Sequence, residues 1–433
     1  MDHFQYIDGD LHAEAVPLAD IARTVGTPTY VYSTATLTRH YRVLSGAIEA
    51  QASLAGRSLV AFAVKANSNL SVLATLGRLG AGADTVSEGE IRRALAAGIP
   101  ADRIIFSGVG KTDAELAFAL RTGVRQVNIE SAPELDRLER IATATGIRPD
   151  ISIRVNPGVG AGGHAKITTG GGGDKFGVPV DEALSLYARA ATNRQVRPVG
   201  LACHIGSQIL DLAPLRDAFG VLADMTRRLR ADGHTVGVLD LGGGLGVPYE
   251  PGLTPPDPAT YAAMVGEAMA GLDVDTVFEP GRLLVANAGV LLARVIHVNE
   301  RPDGRRFLVL DAAMNDLMRP ALYDAFHPLV PVRDEGRTEE RYDVVGPVCE
   351  TGDTFARDRL LPLLAAGDLV AFKGAGAYGA AMASEYNSRP LVPEVLVDGD
   401  RFAVVRPRPD YAALLARETV APWLDPDQTS KTR

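Results

Sequence analysis

A chain of 433 residues, 46% hydrophobic and 22% charged, has the make-up of a globular protein long enough for two domains. Its formal net charge, 44 basic minus 53 acidic residues, is −9, which argues against a nucleic-acid or anionic-membrane partner. No apolar run reaches the length of a membrane span, the first ten residues do not read as a signal peptide, and only two cysteines, Cys203 and Cys349, point to a reducing, cytoplasmic setting rather than a disulfide scaffold.

The first forty or so residues stand outside the pattern that follows, and part of them is expected to join a second domain. From about residue 55 to 282, short apolar runs alternate with amphipathic stretches. Eight runs read as strands: 60–65, 83–87, 104–107, 126–129, 151–156, 200–204, 238–241 and 277–279. Stretches such as 89–97, 113–121, 133–144 and 212–231 read as helices between them. This alternation implies a parallel sheet, and the count of eight favours a closed (β/α)8 barrel, of the TIM type, over an open doubly wound sheet. After Arg282 the pattern changes. Runs at 290–298, 307–310, 341–345, 368–372, 394–397 and 402–405 are short and branched, and turns such as Pro302-Asp303-Gly304 and Asp398-Gly399-Asp400 separate some of them. They predict a mostly antiparallel β domain, sandwich- or barrel-like. The expected limits are 35–285 for the barrel, 1–34 with 286–425 for the β domain, and a frayed tail at 426–433. The loop 158–174 contains four glycines at 170–173 and is expected to be mobile.

The strand ends carry polar residues almost throughout. They are Lys65, Asp84 with Ser87, Ser107, Asn128 with Glu130, Arg154 with Asn156, His204 with Ser207, Gly242-Gly243-Gly244, and Glu279 with Arg282. Barrel enzymes build their sites on that rim. Lys65 follows the apolar run Leu59-Val60-Ala61-Phe62-Ala63-Val64. A buried ammonium is costly without a partner, burial lowers a lysine pKa, and a neutral amine attacks carbonyls. Lys65 is therefore a candidate Schiff-base residue, although a lone lysine at a strand end more simply snorkels outward.

Three later motifs bear on that choice. Leu241-Gly242-Gly243-Gly244-Leu245-Gly246 follows the seventh strand, where phosphate loops of barrels are common, although a glycine turn alone is weak evidence. Glu279-Pro280-Gly281-Arg282 follows the eighth. Its carboxylate can keep a pyridine nitrogen protonated and its arginine can fork a carboxylate, but an ordinary Glu–Arg ion pair fits the spacing equally well. His204-Ile205-Gly206-Ser207-Gln208 offers an imidazole to stack on a ring and a hydroxyl for a phosphate, where a lone histidine is more often structural. No metal-ligand spacing is present. A lysine, a glycine turn, a carboxylate and a histidine on one rim suit pyridoxal 5'-phosphate.

Ala63-Val64-Lys65-Ala66-Asn67, 204–208, 242–246 and 279–282 resemble the fold-type III pyridoxal-phosphate-dependent decarboxylases, whose barrel is alanine-racemase-like. The resemblance covers nearly the whole chain. Alanine racemases place an arginine against the pyridine nitrogen, and Glu279 there fits the decarboxylase branch better. The resemblance implies Lys65, Cys349, His204 and Glu279 as catalytic residues. It implies Asp84, Ser87, His204, Ser207, Gly242, Gly243, Gly244, Glu279, Gly281, Arg282 and Tyr378 around the cofactor.

The segment 314–323 is similar to the substrate-reading segment of the branch acting on meso-2,6-diaminopimelate, which yields L-lysine. That likeness, with segments 346–353 and 376–379, which are similar to further hallmarks of the same branch, implies Arg282, Arg319, Tyr323, Glu350 and Tyr378 around a small-molecule substrate. It also implies a homodimer whose partner subunit supplies Cys349 as proton donor and Glu350 for the far ammonium. By residue type alone Arg319 is equally a surface salt bridge, and Cys349 is more readily a small core residue. A substrate with two carboxylates needs several cations, whereas ornithine, arginine or a carboxylated polyamine needs fewer. The chain departs from the family at Ser87-Glu88-Gly89-Glu90, where two glycines are usual after the serine. Glu88 either adds charge to the rim or starts the next helix favourably. It departs again at Gly173-Asp174-Lys175, which lacks a frequent serine.

Overall fold

The computed structural model describes residues 2–160 and 175–424. The glycine run 170–173, the Gly173-Asp174 pair and the tail 426–433 lie outside the described residues.

Eight parallel strands form the barrel: Ser58–Ala63, Gly82–Thr85, Ile104–Phe106, Gln126–Ile129, Asp150–Asn156, Arg197–Ala202, Val238–Asp240 and Asp275–Phe278. Each predicted run holds one. The open-sheet alternative fails because the last strand pairs with the first, Thr276 beside Ser58 and Phe278 beside Val60. Side chains alternate across each strand. One set, including Phe62, Phe106, Val127 and Ile153, packs outward against helix residues such as Ile91, Leu116 and Leu135. The inner set is small and partly polar. Ala61, Ile105 and Val277 fill one layer, and Gln126, Asn128 and Asp240 meet through hydrogen bonds in the barrel interior.

The helix starts follow the sequence. Ser33, Asn69, Ser87, Thr112, Ser131 and Asp257 each cap a helix with a side-chain oxygen. Helix Glu88–Ala96 begins at Glu88, whose carboxylate accepts from Arg92 one turn on, 2.7 Å away. The second reading of Glu88, a favourable helix start, therefore holds.

The second domain is a mixed, mostly antiparallel sheet in the order Thr354–Pro362, Glu339–Val345, Arg306–Leu310, Gly289–Glu300, Thr29–Ser33, Glu394–Asp398, Arg401–Arg406. Thr29–Ser33 lies between Gly289–Glu300 and Glu394–Asp398, so an N-terminal segment does join this sheet. Leu369–Phe372 pairs with both Gly289–Glu300 and Leu329–Pro331. Strands Leu329–Pro331 and Thr354–Pro362 were not among the predicted runs. The second sheet is tied to the turn that carries Lys65. Asn67 Nδ2 donates to the Gly376 carbonyl at 3.0 Å, and the Tyr378 N–H donates to the Ala66 carbonyl at 2.8 Å.

Candidate active site

The rim residues converge on a cleft of about 500 Å³ lined by Lys65, His204, Ser207, Gly242, Gly243, Gly244, Glu279, Gly281, Arg282 and Tyr378. It continues into a wider space shared by Lys65, His204, Ser207, Arg282 and Tyr378, where Tyr249, Arg319 and Tyr323 line the far side.

Lys65 does not snorkel. It sits in a single 3-10 turn, Val64–Ala66, directly after the first barrel strand, and its Nζ donates to Asp84 Oδ2 at 3.0 Å. The 37% of its side-chain surface that stays accessible faces the cleft. The expected fall in its pKa is reversed. Burial pulls the value down, but the charges of Asp84, Tyr378 and Glu279 outweigh it and hold the amine protonated. Reaction with a carbonyl therefore requires the proton to pass to an acidic neighbour first.

Glu279 is 8% exposed and does not pair with Arg282, so the simple ion-pair reading of that motif fails. Burial, then the charges of Asp240 and Asp84, push its carboxyl well above the ordinary range. Asp240 is itself raised to about 6 by burial, despite hydrogen bonds from Asn128 at 2.9 Å and the Gly242 N–H at 3.0 Å. Two buried carboxyls this close share protons rather than both ionise.

The glycine turn admits no side chain. A Cβ on Gly243 would lie 2.1 Å from the Glu279 carbonyl oxygen, and one on Gly242 2.3 Å from the Cys203 carbonyl oxygen. Gly242 adopts φ +63 and Gly244 φ +112, which only glycine takes readily. The Gly243 N–H donates to His204 Nδ1 at 3.1 Å. That fixes the imidazole with its proton on Nε2. Burial, then the charges of Lys65 and Arg154, hold His204 far below its usual pKa, so the ring beside the cleft is neutral.

The opposite side is cationic. Arg282 is 6% exposed. It donates from Nη1 to the Tyr249 hydroxyl at 2.9 Å and from Nη2 to Ser207 Oγ at 3.0 Å, and it lies 4.8 Å from the Tyr378 ring centre. Burial opposes its charge, but Tyr249 and Tyr378 outweigh burial and raise its pKa. Arg319, also 6% exposed, stands 4.4 Å over the Tyr249 ring, and its Nη1 contacts His327 Nε2 at 2.8 Å. It is no surface salt bridge. Burial and the charge of Arg282 lower its pKa. Among the described residues neither guanidinium has a carboxylate within ion-pair distance.

Not every candidate reaches the cleft. The Ser87 hydroxyl caps helix Glu88–Ala96 by accepting the Glu90 N–H at 3.2 Å, and Ser87 lines neither space. Asp84 acts through Lys65. Cys349 is exposed rather than a core residue, and its N–H donates to Asn387 Oδ1 at 3.0 Å. It lies with Glu350 outside the cleft of its own chain. Sequence reasoning missed Tyr249 and His327, the two residues that hold the arginines. The only available signals were an aromatic residue soon after the glycine turn and a histidine eight residues beyond Arg319.

The residues fit pyridoxal phosphate. Among the described residues Glu279 Oε1 and Asp84 Oδ1 are buried without a hydrogen-bond partner, so the site carries two acidic oxygens in want of a donor. The glycine turn can approach a phosphate, and a lysine amine faces the same space. Among the described residues no trio of His, Cys, Asp or Glu is placed to hold a metal, and no helix is long and apolar enough to cross a membrane.

Residues 42–286 match the family model for the pyridoxal-binding domain of pyridoxal-dependent decarboxylases. The chain is 49% identical over 423 residues to a diaminopimelate decarboxylase of Pseudomonas aeruginosa, covering 98% of this chain and all of the relative. A crystal structure of diaminopimelate decarboxylase from M. jannaschii, in complex with L-lysine, superposes with a TM-score of 0.93 at 34% identity, over 98% of this chain and 99% of that one. The Helicobacter pylori diaminopimelate decarboxylase with L-lysine gives a TM-score of 0.88 at 40% identity, over 92% of this chain and 98% of that one.

Proposed function

The chain belongs to the pyridoxal-dependent decarboxylases, and on that premise we propose that it converts meso-2,6-diaminopimelate to L-lysine and carbon dioxide in the cytoplasm. The observation that carries the substrate is the pair of buried arginines without a carboxylate, in the same space as Lys65. A buried guanidinium left unpaired is costly, so this wall selects for an anion. A second carboxylate at the far end of an amino acid meets that demand, and ornithine or arginine brings none.

Pyridoxal phosphate supplies a covalent anchor for the substrate amine and an electron sink for the bond that breaks. The chain supplies the rest. Lys65 is the attachment point, with Asp84 holding its amine. Glu279 would hold the ring nitrogen, and His204 would pack against the ring. Ser207 and the glycine turn hold the phosphate, with Tyr378 beside them. Arg282, Arg319 and Tyr323 bind the far carboxylate. The carbon–carboxylate bond breaks, carbon dioxide leaves, and the carbon that keeps the electron pair takes one proton.

Among the described residues no cysteine lines the cleft of one chain, while Cys349 and Glu350 stand exposed elsewhere on it. This supports a homodimer in which Cys349 of the partner subunit delivers that proton and Glu350 of the partner subunit receives the far ammonium. The reaction is tested by assaying carbon dioxide release from purified holoenzyme on a panel of amino acids. Faster turnover of ornithine than of diaminopimelate overturns the substrate. The shared site is tested by mixing inactive Lys65→Ala subunits with inactive Cys349→Ala subunits. Activity should return, and none returning from confirmed heterodimers overturns it.

A further inference from the structure

Arg319 is held by a partner that orients it without matching its charge. The Lys373 carbonyl lies 3.0 Å from His327 Nδ1, and a carbonyl can only accept, so Nδ1 carries the ring proton. His327 Nε2 is then a lone-pair acceptor, and it takes a hydrogen bond from Arg319 Nη1 at 2.8 Å. The ring is 3% exposed and packs edge-on against Tyr249, with centroids 5.4 Å apart. Burial first, and then the charges of Arg319, Arg282 and Arg359, keep it uncharged. An aspartate or glutamate in its place would hold the guanidinium and also cancel it. Arg282 is treated in the same way, for among the described residues it donates to the hydroxyls of Tyr249 and Ser207. The wall thus reaches the substrate with its positive charge intact.

We propose that His327 is the residue that makes a second carboxylate obligatory: a neutral nitrogen aims Arg319 at the far end of the substrate and leaves that charge for the substrate to satisfy. The inference rests on the reaction proposed above. In that reaction L-lysine retains the L centre, so the carboxylate lost belongs to the D centre. D-Lysine is therefore the substrate with its far carboxylate replaced by hydrogen, and the site refuses it because Arg319 would stay unpaired. The substrate class is amino acids with an α-amino carboxylate at both ends. His327 is a positioning residue, since it acts through Arg319.

The test uses holoenzymes of the wild type, His327→Gln, His327→Leu and His327→Glu. Steady-state kinetics are measured on meso-diaminopimelate and D-lysine, with L-lysine as competitive inhibitor to report binding of the far carboxylate alone. Gln offers an amide oxygen where Nε2 was and should keep KM and the inhibition constant within about threefold, the spread of one preserved hydrogen bond. Glu should raise both by about ten- to a hundredfold with a smaller change in kcat, and should shift the D-lysine to diaminopimelate ratio of kcat/KM towards D-lysine. If the buried Glu prevents folding, Leu carries the test, because it removes the acceptor and should raise KM and the inhibition constant in the same direction. Unmoved KM and inhibition constants in Leu or Glu overturn the role, as does an equal loss in all three variants. A wild type inert on diaminopimelate sinks the reaction itself. A wild type active on it, with variants that bind lysine unchanged, sinks only His327.

Discussion

The floor and the wall of the cleft treat charge in opposite ways. On the floor, Lys65, Asp84, Asp240 and Glu279 form one cluster in which one amine faces three carboxyls, and Asp240 and Glu279 share protons because two buried acids this close do not both ionise. On the wall, Arg282 and Arg319 stand together on hydroxyls, aromatic faces and a neutral imidazole; Glu250 and Asp324 line the same space, but among the described residues no carboxylate lies within ion-pair distance of either guanidinium. The floor is thus a reservoir whose protons can move, suited to exchanging an amine and holding a ring nitrogen. The wall is a fixed positive field, suited to recognition. Damage to the floor should appear in kcat and in the state of the cofactor. Damage to the wall should appear in KM.

The largest effect is expected at Lys65. Lys65→Ala should lower kcat by at least about a thousandfold, as loss of a covalent anchor does, and the purified protein should lose its visible cofactor absorbance. A coloured and active Lys65→Ala protein would break the comparison at its root. Glu279→Gln comes next. Its carboxyl is pushed well above the ordinary range by burial and then Asp240 and Asp84, so replacing it with a neutral amide should cost the apoprotein little in thermal midpoint. Activity should still fall by about a hundredfold or more, because Gln cannot exchange a proton with the ring nitrogen. A large loss of stability at unchanged kcat would assign Glu279 to packing instead. On the wall, Arg319→Leu should raise KM for diaminopimelate by about ten- to a hundredfold while kcat falls less, the worth of a charged hydrogen-bonded contact. If kcat falls and KM stays fixed, floor and wall are not separate devices.

The difference also explains what could be read beforehand. Lys65, the triple glycine and Glu279 end apolar strands of a parallel barrel, so strand period and rim position pointed to them before any contact was known. The eight strands were legible because short runs buried on both faces alternate with amphipathic helical stretches, even where a polar residue such as Gln126, Asn128 or Asp240 points into the barrel. Tyr249 and His327 sit on irregular segments without such a period, and their importance lies in which arginine each one reaches. Strand Thr354–Pro362 was hidden by its own chemistry. It lies at the sheet edge, carries Arg357, Asp358 and Arg359, and ends at Pro362, the features that discourage an edge from pairing further. Ser87 read as a rim residue, but its hydroxyl was the first acceptor available to the Glu90 N–H, and a helix cap claimed it. Lys65 itself was legible while the direction of its pKa was not. Burial is visible in an apolar run, and the three acidic neighbours that outweigh it, Asp84, Tyr378 and Glu279, come from distant parts of the chain.

The smallest predicted effect separates the wall from the floor by pH. His327 is pushed down to about 3 by burial and by Arg319, Arg282 and Arg359, with only the Lys373 carbonyl acting the other way. Above pH 7 neither the folded nor the unfolded chain protonates this ring, and it adds no pH dependence. As pH falls below 6.5 the unfolded chain takes up a proton that the fold refuses, so stability drains until the folded ring also titrates near 3. The acids of the floor run the opposite way. Asp240, held near 6 against its ordinary 3.8, penalises the fold as pH rises through that interval and ceases to do so in acid. The thermal midpoint of His327→Gln relative to wild type, taken at fixed protein concentration, should therefore rise as pH falls from 7 to 4, because Gln removes the one loss and leaves the floor intact. Parallel curves would mean that the imidazole is not held neutral, and that the wall carries a titrating charge after all.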